Sequence, residues 1–102
     1  MADELRVDVE TAISGTVTMT VTGGVDIGNV ERFREPLRAA ATTAPAVVVD
    51  LDRVTYLDSA GIAALFDAAG RTMLDVVASE GCLVRRVLEV VALDQVATVR
   101  AG

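Results

Sequence analysis

A chain of 102 residues that is 52% apolar but only 3% aromatic holds one domain, with a core built from Val, Leu, Ile and Ala. Its formal net charge of −6 excludes the basic face that nucleic acid needs to release counterions. His and Lys are both absent, which removes the commonest general base and metal ligand and any site that needs a lysine.

Cys82 stands alone, so no internal disulfide can form. That suits a reducing compartment, and the thiol reads as a small core residue on a helix. No run of about 18 apolar residues is long enough to span a bilayer. The opening Met-Ala-Asp-Glu is the opposite of a basic leader. The expectation is a cytoplasmic protein with neither membrane nor nucleic acid as partner.

Leu5 to Val9 alternates, with Leu5, Val7 and Val9 on one side, and Ser14-Gly15 reads as a turn. Thr16 to Thr22 alternates more strictly, with Val17, Met19 and Val21 opposed to four threonines, so the two runs form a hairpin ended by Gly23-Gly24. Asp26 or Asn29 is placed to cap the helix that follows, whose apolar stripe is Val30, Phe33, Leu37, Ala40 and Ala41. Pro36 interrupts this stripe and implies a kink or a later helix start.

Ala46 to Leu51 is a short continuous apolar run, which predicts a strand covered on both faces. A second helix opens near Ser59, with Ile62, Leu65, Phe66 and Ala69 as its core face and Gly70 as its stop. Asp75 to Ala78 reads as a short parallel strand. A third helix buries Leu83, Val84, Val87, Leu88 and Val91 with Arg85, Arg86 and Glu89 outside, and Val96 to Val99 forms a last edge strand. Residues 1–102 thus predict a single α/β domain, a small mixed sheet of about five strands with three helices packed on it.

The informative stretch is Asp50 to Gly61, D-L-D-R-V-T-Y-L-D-S-A-G, where a strand runs out and a helix opens at Asp58-Ser59-Ala60-Gly61. A Ser or an Asp at that place has an ordinary reading as a helix cap or a charge on the positive end of the dipole. The wider arrangement is more specific. The Thr22-Gly23-Gly24-Val25-Asp26 turn, the V-V-V-D-L strand and Tyr56-Leu57-Asp58-Ser59-Ala60-Gly61-Ile62, at this spacing, resemble the STAS domains of bacterial anti-sigma-factor antagonists.

That resemblance implies a STAS-like fold and a phosphoprotein rather than an enzyme. Ser59 is then the acceptor for a cognate anti-sigma factor that is itself a serine kinase and carries the ATP and Mg²⁺. The unmodified protein binds this kinase and releases a sigma factor, and the phosphorylated protein does not, which regulates stress-response transcription. Asp26, Asp58, Ser59, Ala60 and Gly61 are expected at the partner surface, on a monomer or weak dimer. Two departures accompany the resemblance: the stretch from Gly61 to Asp75 is several residues short, and the chain ends soon after Val99, where many relatives add a helix.

Three rival readings remain open. STAS subunits that bind the ATPase of an ABC lipid transporter share the length but carry Thr at the acceptor position. Asp26, Asp50, Asp52 and Asp58 suggest an acidic metal cluster like that of a receiver domain, without the partnering lysine; Asp50 and Asp52 read more simply as the end of a strand and the start of a turn. A hydrolase would need a base for Ser59, and no His or Lys exists to serve.

Overall fold

The computed structural model describes residues 4–101; the acidic opening, apart from Glu4, and the last residue lie outside them. Five strands and three helices alternate: β1 Arg6–Thr11, β2 Val17–Val25, α1 Val30–Thr43, β3 Ala46–Leu57, α2 Ser59–Ala69, β4 Met73–Val77, α3 Leu83–Val90 and β5 Thr98–Arg100. A short 3-10 turn, Leu93–Gln95, precedes β5. The strands lie side by side in chain order, with β1 antiparallel to β2 and the remaining pairs parallel. This is the mixed sheet the sequence predicts.

Right-handed crossovers between parallel strands laid down in one direction put every helix on the same face. Burial follows that rule. Val17, Met19, Val21, Val47, Val49, Leu51, Leu74 and Val76 are buried beneath the helices. Their neighbours Thr18, Thr20, Thr22, Val48, Asp50 and Asp75 are half-buried on the opposite face. The expectation that β3 is covered on both faces is therefore wrong: its apolar run reflects β propensity as well as burial.

α1 buries Val30, Phe33, Leu37, Ala40 and Ala41, as its periodicity requires. Pro36 lies inside this one uninterrupted helix, which rules out the later start. The α2 stripe is shifted from expectation. Gly61, Ala64, Leu65 and Ala68 are buried, while Ile62, Phe66 and Ala69 are only partly so, because small residues let α2 approach its neighbours closely. α3 buries Val84 and Leu88, leaving Leu83 and Val91 exposed.

Arg85, expected outside, is folded inward and donates from its guanidinium to the Ala78 carbonyl at 2.7 Å. Cys82 is not a core residue within a helix. It precedes α3 and its Sγ accepts the Arg85 N–H at 3.3 Å. β1, β4 and β5 each begin one or two residues from their predicted starts, and Val9 is exposed rather than buried.

Candidate functional site

The site is built where β2 and β3 run past the rest of the sheet. β3 extends to Leu57, so residues 52–57, beyond the predicted strand end at Leu51, are strand as well. Thr20 pairs with Asp50 but Thr22 with Arg53, and Gly23 pairs with Val54 but Gly24 with Tyr56. Each shift inserts one extra residue into β3, and such bulges bend a strand and re-aim its side chains. The β-formers Val54, Thr55 and Tyr56 were the available signal for this extension.

The first bulge is fastened by Asp52, whose carboxylate accepts the Ser79 N–H at 2.6 Å and its hydroxyl at 2.8 Å. Beyond it, β3 and β2 remain paired to Leu57 and Val25, and the Asp58 N–H donates to the Val25 carbonyl at 3.0 Å. The loops that leave the two strands therefore start side by side.

After β2, Asp26 and Asn29 lock a tight turn. Asp26 Oδ1 accepts the N–H groups of Gly28 at 2.8 Å and Asn29 at 3.1 Å. Asn29 Oδ1 accepts the Asp26 N–H at 2.9 Å, and its amide donates to the Gly24 carbonyl at 2.9 Å. Neither residue caps α1 in the expected way: Asn29 occupies the cap position without a side-chain bond to the helix, and Asp26 serves the turn.

After β3, Asp58 is the N-cap of α2. Its Oδ1 accepts the Ala60 N–H at 2.6 Å, satisfying one of the donors that a helix start leaves open. Ser59 is the first helical residue and is exposed. Among the described residues no hydrogen bond engages its hydroxyl. The two ordinary explanations for Asp58 and Ser59 thus separate: the carboxylate caps, and the hydroxyl is left facing solvent.

Gly61 fixes how closely this helix start meets the sheet. A Cβ there would lie 2.7 Å from Leu57 Cδ1, closer than packed carbons allow, and 3.1 Å from Val25 Cγ1, tighter than most packed contacts. Gly23 has a comparable role within β2, where its φ of +93° is left-handed and a Cβ would overlap the Glu4 carbonyl oxygen.

Of the predicted site residues, Asp26, Asp58, Ser59, Ala60 and Gly61 are brought to one end of the β2–β3 pair. Asp26 and Asp58 are half-buried and Gly61 is buried. Asp50 and Asp52 lie within β3, not at its end. Asp50 Oδ1 accepts the Asp52 N–H at 3.0 Å. Among the described residues no three His, Cys, Asp or Glu side chains are grouped to hold a metal ion. Sequence reasoning missed two exposed apolar residues here, Ile27 and Tyr56.

A family model described as Mlab, STAS domain matches residues 9–100. Among solved structures, an anti-sigma factor antagonist from Mycobacterium paratuberculosis is similar at 26% identity and a TM-score of 0.85, over 98% of this chain and 88% of that one. The anti-sigma factor antagonist SpoIIAA in its unphosphorylated form is 18% identical with a TM-score of 0.72, over 92% and 87%. The Bacillus cell fate determinant SpoIIAA in its phosphorylated form is 17% identical with a TM-score of 0.69, over 92% and 90%; these two likenesses speak for the fold. No curated protein matches the chain by sequence. No helix of the described residues is long and apolar enough to cross a membrane. With the model spanning nearly the whole sheet and the site at its end, the chain belongs to the STAS domain family.

Proposed function

We propose that the protein is an anti-sigma-factor antagonist, bound through the α2 start by an anti-sigma factor that is a serine kinase, and released when that kinase phosphorylates Ser59. The observation that carries this reading is the exposed Ser59 hydroxyl, left unengaged because Asp58 performs the capping. The chain performs no catalysis of its own in this account. The kinase supplies ATP, Mg²⁺ and the base, and the chain supplies a rigidly held acceptor in the cytoplasm, with Asp26, Asp58 and Ala60 around it; Gly61, expected at the same surface, is instead buried against Leu57 and Val25.

A phosphate on Ser59 carries a charge of about −1.5 to −2 at neutral pH. The first turn of α2 suits that charge, since its N–H groups lack intrahelical partners and the helix dipole favours an anion. Modification then leaves the fold intact and acts at the interface. Two like unit charges about 5 Å apart repel by about 3 kcal/mol at an effective dielectric of about 20, more than a hundredfold in affinity.

A second reading keeps the fold and replaces the partner with the ATPase of an ABC lipid transporter. The length of the chain favours it; Ser59, where such subunits resemble one another in carrying Thr, favours the first. Incubation with the anti-sigma kinases of the same organism and ATP, followed by intact-mass measurement, tests the proposal. One phosphoryl group is expected, and none on Ser59→Ala. An unchanged mass, with an ABC ATPase co-purifying instead, supports the second reading.

A further inference from the structure

Ile27 is 81% exposed, at the tip of the turn between β2 and α1. Isolated apolar residues on a surface are ordinary, and Ile13, at the β1–β2 turn, is also fully exposed. What distinguishes Ile27 is its mounting. The Ile13 turn is closed by the Ala12 N–H to the Thr16 carbonyl and the Gly15 N–H to the Ala12 carbonyl, with two longer side-chain bonds, Ser14 Oγ donating to Thr16 Oγ1 at 3.3 Å and accepting the Thr16 N–H at 3.4 Å. The Ile27 turn is cross-braced by four side-chain bonds between Asp26, Gly28, Asn29 and Gly24, with a further backbone bond from the Asn29 N–H to the Asp26 carbonyl.

Position adds to this. Val25 and Leu57 are paired on adjacent strands, which run about 4.8 Å apart. Ile27 lies two residues beyond Val25, and Ser59 two beyond Leu57. Ile13, by contrast, sits at the other end of β2, a strand of nine residues, about 30 Å away.

We infer that Ile27 is a preorganised apolar anchor for the same anti-sigma partner that meets Ser59, and a determinant of which partner is recognised. This rests on the reading of Ser59 given above. An apolar side chain carried on a braced turn needs little backbone ordering on binding, which is the property of an interface anchor. Its surroundings define the complement. Asp26 precedes it and Asp58 lies on the neighbouring loop, while Glu31, in the first turn of α1, is already paired with Arg34. The partner offers a shallow apolar pocket rimmed by Arg or Lys.

Calorimetric titration of the full chain against each anti-sigma serine kinase of its organism tests the inference, with circular dichroism to check folding. Ile27→Ser is expected to weaken binding by about tenfold or more. Ile27→Val should stay within about threefold of the parent, and Ile13→Ser should bind like the parent. A parent that binds while Ile27→Ser changes affinity less than twofold, or Ile13→Ser weakens it as much, overturns the anchor and leaves the proposed function standing. A parent that binds none of the kinases overturns both.

Discussion

Asp58 and Ser59 are adjacent polar residues at one helix start, and their division of labour can be measured residue by residue. Asp58→Ala removes the acceptor for the Ala60 N–H and is expected to cost about 1 kcal/mol in urea denaturation. Ser59→Ala removes a hydroxyl with no structural partner, so stability should hold within about 0.5 kcal/mol. At the far end of α2, Arg71 Nε donates to Asp67 Oδ2 at 3.0 Å, and this hydrogen bond holds the Asp67 carboxyl below its usual range. A lowered carboxylate pKa favours the folded state above the ordinary carboxylate pKa, and that contribution fades as pH falls through the lowered value. Since Asp67 is exposed, salt screens the effect. An NMR titration should show the Asp67 midpoint rising in Arg71→Ala.

At the scale of elements, the way α2 seats on β2 and β3 depends on Gly61, and the way α3 ends depends on Ala92. Gly61→Ala forces Leu57 and Val25 to move and is expected to lose about 1–3 kcal/mol. Ala92 follows α3 at φ 60°, a left-handed conformation that costs a non-glycine residue about 1–2 kcal/mol. Ala92→Gly should therefore raise the melting temperature despite the extra freedom of the unfolded chain.

The elements differ in how plainly the sequence announces them. The first part of β2 and the whole of α1 were legible because one face of each is buried and the other is not, which leaves a clean period of two or of 3.6; β2 nevertheless runs on through Gly23-Gly24, its predicted end, to Val25. The second half of β3 was not. Its two bulges break the alternation, putting Asp52 and Arg53, then Thr55 and Tyr56, outward in succession. The α2 face was misplaced because Gly61, Ala64 and Ala68 are buried for their small size, a pattern that hydrophobic spacing overlooks. Around the site, the identity of the residues at the helix start was readable. Which of Asp58 and Ser59 caps, and that Ile27 is held outward, required the hydrogen bonds.

Over the whole molecule, all helices cover one face of the sheet, and the β2–β3 pair projects beyond it to carry both the Asp26–Asn29 turn and the start of α2. The turn and the helix start are thus fixed to one rigid support, and under the proposed function a charge added to Ser59 would change what the surface presents without rearranging the core. The decisive quantity is calorimetric affinity for the cognate anti-sigma kinase, taken before and after stoichiometric phosphorylation of Ser59. A loss of about a hundredfold or more is expected, with an unchanged circular dichroism spectrum. Equal affinity for the two forms, or a phosphorylated form that has unfolded, would refute the switch.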